Sequence, residues 1–488
     1  MRRRSRRRAL GATLLAAVLP ACAALERQGE PVLPAPASPP PSVPRTVGIE
    51  PLSGAEHRRL VAQFGGDYRW PAAERELNEI LARLAKATDG GGPPYRVTIL
   101  NTPVVNAFAL PSGNLYVSRG LLALANDASE VAAVMAHEIA HVTARHAAAR
   151  AEKEKQAAVI TQAANVIQSR HKGEQVEANQ RLSFASFSRQ QEIDADRAGI
   201  ATLARAGYDP FGASRFLHAL ERWSALRAET TGRPTQAKPD ILATHPSTPE
   251  RVAKAQAAAR EIGGPGLGRS EAAPFLASIN GMAYGDDPAE GVVRGRRFLH
   301  PRLGFSFTAP EGFALENAPK ALLGAKDGGA EALRLDSVSA GQTPSLEAYL
   351  ASGWIEGVLA STIESGEVNG LPAAFATARA GEWNFRVAAI RAGSEIYRMI
   401  FAARSLTDDA ERRFRGAIES FHRLTPAEAA AIKGEKLALA PANPSDTAAA
   451  FAARMAPVER PLDTFLALNG LDGAEPLESG RSYKIVTE

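Results

Sequence analysis

Residues 127–150, DASEVAAVMAHEIAHVTARHAAAR, constrain this chain more than any other stretch. Asp127 has N-cap chemistry, and Glu130, three residues on, completes a capping-box pattern. Val131, Met135, Ile139 and Val142 recur at helical spacing, so the segment predicts one helix. Alanines fill much of the remaining surface, which implies burial on more than one side. Two imidazoles and a carboxylate on such a helix, His137, Glu138 and His141, are costly unless something satisfies them. A single zinc ion would do so. Residues i and i+4 lie about 40° apart around the axis, so both rings can aim a nitrogen at one ion. Glu138 sits beside them, angled to hold a water rather than the metal.

H-E-x-x-H is the metalloprotease arrangement, with the glutamate as general base. A catalytic zinc takes three protein ligands and one water, so a third donor is required downstream. Residues 190–210, QQEIDADRAGIATLARAGYDP, predict a second helix closed by Gly207 and Pro210. Glu192 and Asp196 are four apart and share a face. One can bind zinc while the other grips the free N–H of a ligating histidine. Ala195 and Gly199 are small enough to let this helix approach the first closely.

HEIAHVTARH, then EIDADRAG, then THPSTPERV resembles the zinc metallopeptidase family that includes BepA, HtpX and the CAAX prenyl proteases, the gluzincins with HExxH…ExxAD. Asn106-Ala107-Phe108-Ala109-Leu110-Pro111, Leu115-Tyr116-Val117 and Gly120-Leu121-Leu122 agree with it, and the resemblance spans about 56–262. It implies that Glu192 is the third zinc ligand and Asp196 the supporting acid. It implies two roles for His245: reaching the zinc and taking the water position, or steadying the oxyanion. It also assigns Asn106, Ala107, Phe108 and Ala109 to an edge strand that receives the substrate backbone by strand addition.

Residues 1–22 read as a targeting segment. MRRRSRRR is the charged region, ALGATLLAAVLP a short apolar core, and Leu19-Pro20-Ala21-Cys22 a lipobox-like end. Cys22 is the only cysteine, which suits the lipid-modified N-terminus of a lipoprotein and excludes an internal disulfide. Ala23 after the cysteine leans, by resemblance to other lipoproteins, towards the outer membrane. Ordinary signal cleavage and twin-arginine export both stay open. The net charge of +4 rests on six arginines among the first eight residues, so no nucleic-acid footprint remains. Residues 23–52 include the proline-rich PVLPAPASPPPSVP, a semi-rigid spacer.

The expected architecture is α+β. A mostly helical zincin-type domain over 53–265 is followed by a linker at 266–297. An α/β accessory domain at 298–425 resembles PsbP-like sandwiches, and 426–488 resembles a small LysM module, read as separate from the peptidase. Helix-like stretches are expected at 151–168 and 175–188. His146 and His171 read as surface residues, and His300 and His422 as isolated ones.

The function expected is a zinc-dependent endopeptidase of the bacterial cell envelope, periplasmic and lipid-anchored, acting on misfolded or misassembled envelope proteins. It uses one Zn2+, protein or peptide substrates, the membrane through Cys22, and peptidoglycan through the tail. The competing expectation is an envelope chaperone or peptidoglycan-binding adaptor with a capped or inactive metal site.

Overall fold

The computed structural model describes residues 54–89, 92–149, 187–231, 241, 245, 248–326, 328–341, 345–456, 458–473 and 476–488. The targeting segment with Cys22, the proline-rich spacer, and the helix-like stretches at 151–168 and most of 175–188 lie outside them, as does His171. The chain divides into two units. One joins 44–230, 234–287 and 434–488; the other is centred on 288–433.

The first unit opens with α1 (Gly54–Ala62) and α2 (Pro71–Ala87). α2 begins with Pro71 in its first turn and buries Ala73, Leu77, Ile80, Leu81 and Leu84, one stripe at helical period. β1 (Arg96–Leu100), β2 (Ala107–Ala109) and β3 (Asn114–Ser118) form a sheet in the order β1-β3-β2. β1 runs parallel to β3, with Arg96 opposite Asn114. β2 pairs antiparallel with β3, with Ala107 opposite Val117, and ends the sheet. The turn between β2 and β3 holds Gly113 at φ 87°, a conformation glycine adopts without penalty.

α3 (Arg119–Leu124) leads into α4 (Ala128–Thr143), which is buried from Ala128 to His141. α5 (Arg189–Arg205), α6 (Gly212–Thr231), α7 (Pro249–Ile262) and α8 (Ala272–Ile279) complete the helical part. α5 crosses against α4 at Gly199. A β-carbon there would stand 3.0 Å from the His137 nitrogen and 3.2 Å from its α-carbon. A side chain at 199 would therefore force the helices apart. The helix α4 stops earlier than its pattern predicts: Arg145 takes φ 54° just beyond the cap at Ala144.

The stretch expected to be a linker at 266–297 is built into both units. Phe275, Ile279 and Met282 belong to the main core with Leu77, Val131 and Met135. After β4 (Ala283–Tyr284) the second unit begins. The earlier part of the stretch joins the first unit's core through Phe275 and Ile279, which are almost fully buried.

The second unit is mostly antiparallel sheet. β5 (Val292–Arg294), β6 (Arg297–His300), β7 (Phe305–Thr308) and β15 (His422–Arg423) form one sheet in the order β15-β7-β6-β5. β8 (Ala314–Ala318), β9 (Ala321–Lys326), β10 (Glu331–Ser339), β11 (Glu364–Val368), β12 (Leu371–Ala380), β13 (Trp383–Ala392) and β14 (Glu395–Ala403) form the other, ordered β11-β12-β13-β14-β10-β9-β8. The two faces of this larger sheet bury separate apolar clusters. Leu333, Leu335, Tyr397 and Phe401 pack with Phe414 on one side, and Trp383, Phe385 and Val387 pack with Leu350 on the other.

β16 (Glu435–Pro441) and β17 (Ser482–Thr487) return to the first unit and pair antiparallel, with β16 also pairing with β4. Two helices, Ala448–Ala452 and Pro461–Asn469, lie between them in sequence. The tail is thus not separate. Lys484, fully buried, donates to the carbonyls of Ala123, Leu124 and Ala125 at 2.7, 3.0 and 2.7 Å. It fastens β17 to the end of α3, directly ahead of α4. The strand at 482–487 alternates in sequence as a half-exposed strand would, but the docking buries its charged member.

Candidate metal centre

Local chemistry sets the helices that carry the site. At the start of α4 the Asp127 carboxylate accepts from the Glu130 N–H at 2.9 Å. Arg215 of α6 holds the same carboxylate at 2.8 Å. α5 starts with a reciprocal capping box between Ser188 and Gln191. α7 starts at Pro249 behind Thr248, whose hydroxyl accepts from the Arg251 N–H. Each cap of this kind contributes about 1 kcal/mol and fixes where the first turn points.

Those turns converge. His137, His141, Glu192 and His245 are all buried, and one donor atom from each lies within 4.8 Å of the others. His141 Nε2 is 3.0 Å from His137 Nε2. Glu192 oxygens lie 3.5 Å from each of these nitrogens. His245 Nδ1 is 3.2 Å from His137 Nε2 and 3.0 Å from Glu192 Oε1. Donors held about 2.0–2.1 Å from a tetrahedral zinc are separated by about 3.3 Å, so this spacing is that of one coordination sphere. The donor set of imidazoles and a carboxylate suits zinc.

Glu138 does not join the cluster. Its Oε1 is buried without a hydrogen-bond partner among the described residues, and stands 3.5 Å from His245 Nε2. A buried carboxylate oxygen of this kind needs a donor, and a water beside a bound metal would supply one.

Around the donors runs a set of charge-assisted bonds. Asp196 Oδ1 lies 2.9 Å from His137 Nδ1. Arg251 grips Asp196 with Nε and Nη2, both at 2.8 Å, and reaches Glu192 Oε2 with Nη1 at 2.8 Å. A planar guanidinium therefore spans the carboxylate donor and the acid behind His137. In the sequence Arg251 stands within THPSTPERV. Its spacing from the other residues carries no signal, because α4, α5 and α7 meet only in the folded chain.

His146 corrects its sequence reading. It is 9% exposed rather than a surface residue, and its Nδ1 lies 2.9 Å from His141 Nδ1. In an unbroken helix a residue five positions on would leave the face of His141. The break at Ala144 and Arg145 folds His146 back, and Phe187 stacks on His141 at 4.1 Å between ring centres. His300 also proves buried, as a partner of Phe298 and Phe305.

The electrostatics fit a cation. Burial works against charge on His137, but Asp196 and Glu192 outweigh it and push the imidazole up to about 10. Burial, then the neighbouring His137 and His245, push His141 down. Burial would raise Glu192, yet His137 and His245 hold it well below the usual carboxylate range. Asp196 is likewise held down, burial being overcome by Arg251 and His137. The cluster thus gathers carboxylate charge around its imidazoles, and a metal ion bound there would take the place of the His137 proton.

Of the edge-strand residues, Asn106 is buried before β2 and exchanges bonds with Ser118, its N–H meeting Oγ and its carbonyl accepting from the Ser118 N–H, both at 2.9 Å. Ala107, Phe108 and Ala109 form β2, with the Phe108 ring 4.8 Å from that of Tyr116.

The family model for peptidase family M48 matches residues 71–259. The beta-barrel assembly-enhancing protease of Escherichia coli is 32% identical over 202 residues, 39% of this chain and 40% of that protein. The mitochondrial metalloendopeptidase OMA1 of Arabidopsis thaliana is 31% identical over 195 residues, 38% of each. The chain thus matches about two-fifths of the length of these relatives. A solved cyanobacterial PsbP from Synechocystis is matched over 26% of this chain and 91% of that one at 12% identity and a TM-score of 0.21, a degree of likeness that carries no conclusion on the accessory unit.

Proposed function

From the premise that this chain belongs with the M48 zinc metallopeptidases through residues 71–259, we propose that it is a zinc-dependent endopeptidase of the bacterial cell envelope. One observation carries the reading. Four buried donors from three separate parts of the chain share one coordination-sized space, and Glu138 stands beside it with a free acceptor.

His137, His141 and Glu192 would hold a zinc ion, which when bound would supply Lewis acidity towards the scissile carbonyl and the attacking water. Glu138 takes the proton from that water and delivers it to the leaving amine. Asp196 fixes the tautomer of His137 through its Nδ1, and Arg251 fixes both acids. β2 ends its sheet, which supports strand addition of the substrate along Asn106, Ala107, Phe108 and Ala109.

His245 takes the fourth position of the donor set in the resting state. Its Nδ1 distances to His137 and Glu192 support this over a pure oxyanion role. The same observation favours a second reading, an envelope chaperone or adaptor whose metal site stays capped. Casein degradation with and without a chelator separates the two. Chelator-sensitive degradation that Glu138→Gln removes while zinc stays bound supports the peptidase. Undiminished proteolysis in Glu138→Gln refutes the role of Glu138, and no proteolysis even in His245→Ala supports the capped adaptor.

The biological setting is read by analogy with the relative named for β-barrel assembly. Misfolded or misassembled envelope proteins are the substrates, and the location is the periplasm with an outer-membrane lipid anchor at Cys22. Among the described residues no helix is long and apolar enough to cross a membrane. The strand–helix–helix–strand order of 435–487 supports a LysM-like contact with peptidoglycan.

A further inference from the structure

Phe187 stands just ahead of the N-cap of α5, and the cap sets its place. The reciprocal box between Ser188 and Gln191 fixes how the chain enters the helix. In many helices an apolar side chain at this position packs against an apolar one at the fourth helical position. Here the fourth helical position is Glu192, a donor of the metal centre. The Phe187 ring lies against the other donors instead. It stacks on His141, with ring centres 4.1 Å and planes 29° apart, and leans on His245 at 5.2 Å. Phe187 is half-buried and both imidazoles are buried, so its ring covers them.

The two imidazoles are held differently. His141 is fixed by α4. His245 lies ahead of α7, and its main chain is tied down from the side of the sheet. Its N–H bonds to the Ile241 carbonyl at 2.7 Å, and the Ile241 N–H bonds to the Val105 carbonyl at 3.0 Å, just ahead of β2. With the main chain held, bringing the imidazole into the donor set or out of it is a change of side-chain rotamer. The polar groups facing that ring, Glu192, His137 and Glu138, all belong to the reacting centre. Of its ring neighbours His137, His141 and Phe187, only Phe187 is not a donor.

We propose that Phe187 is a positioning residue, an aromatic clamp that holds His245 among the donors and so sets how much of the enzyme rests with its metal capped. The inference rests on the reading of His245 as the fourth donor of the resting state. When His245 turns out, the stack of Phe187 on His141 survives and the contact with His245 is lost. One aromatic pair of this kind shifts an equilibrium by roughly twofold to tenfold. The clamp therefore biases the switch without locking it.

The test uses the zinc-loaded full-length chain and acetohydroxamic acid, a small metal-binding probe that needs the capped position free. Its apparent affinity scales with the open fraction. Phe187→Ala should bind it about three- to tenfold more tightly than the unmodified chain, while Phe187→Tyr, which keeps the ring, should not. In a His245→Ala background, itself tighter, Phe187→Ala should add nothing, because the clamp acts through His245. The visible spectrum of the cobalt(II)-substituted Phe187→Ala protein should move towards that of His245→Ala. Phe187→Leu keeps apolar bulk without a ring, and should give the same sign of change if the alanine variant does not fold. A tighter His245→Ala with Phe187→Ala and Phe187→Leu unchanged would overturn the clamp alone. So would an equal effect of Phe187→Ala with and without His245, which would make the ring mere packing on His141. A His245→Ala variant no tighter than the unmodified chain, or no binding by any variant, would remove the capped resting state and the clamp with it. The expected binding pattern without casein degradation by any variant would leave the clamp standing and remove the peptidase reading instead.

Discussion

Lys484→Met tests whether the C-terminal strand is part of the peptidase unit. The substitution keeps the length of the stem and deletes the ammonium that bonds to the carbonyls of Ala123, Leu124 and Ala125. A hydrogen bond to a charged group contributes about 1.5–3 kcal/mol, and three carbonyls lose one each. The full sum does not apply. Burial pushes this amine down to about 7 against the pull of Glu130 and Asp127, so its removal also relieves a desolvation cost. A net loss of about 3–5 kcal/mol remains. In a unit of this size each kcal/mol lowers the melting temperature by about 2–4 °C, so a fall of roughly 10 °C is expected. Differential scanning calorimetry with and without added zinc identifies the transition of the metal-binding unit, and the shift should fall in that transition. A shift below about 2 °C, or one confined to a transition that zinc does not move, would refute the docking of β17 on α3.

Three further outcomes follow from the same geometry. Arg251→Gln removes the fork that spans Glu192 and Asp196, and should weaken zinc binding about 10–100-fold in competition with a chelating dye; unchanged affinity would reduce Arg251 to packing. His146→Phe keeps an aromatic side chain but deletes both ring nitrogens, including the one facing His141, and should weaken zinc about tenfold with little change in melting temperature. His300 is pushed down to about 4 by burial and by Arg302, and its Nδ1 accepts from the Leu303 N–H. The unfolded imidazole titrates near 6.5, so the unfolded chain binds the extra proton and stability is lost as pH falls from about 6.5 to about 4. The loss amounts to about 3 kcal/mol, and His300→Gln should flatten that part of the urea-stability profile; an unaltered slope would contradict it.

The donors were legible because helical periodicity is local. His137 and His141 at i and i+4, and Glu192 and Asp196 at the same spacing, declare a shared face before any fold is known. The β2–β3 hairpin was legible for a similar reason, since Pro111 to Asn114 is turn chemistry between two apolar runs. What escaped depends on departures from local rules or on assembly. No glycine or proline marks the break at Ala144 and Arg145, so His146 reads as drifting off the helix face. Arg251 acquires its role only when α7 packs on α5. Lys484 alternates with Tyr483 and Ile485 as an outward residue of a strand would, and only the docked tail makes it a buried donor. The boundary near 287 escaped because α8 and β4 follow a glycine-rich stretch that reads as a hinge.

The central claim is that two helices and the segment around them bring His137, His141 and Glu192 to one zinc ion. A zinc-edge anomalous difference map from crystals of the zinc-loaded protein tests it directly. A single strong peak within bonding distance of both Nε2 atoms and a Glu192 oxygen, lost in Glu192→Ala, is the predicted result. A peak elsewhere, or one that keeps its occupancy and position in Glu192→Ala, would contradict it.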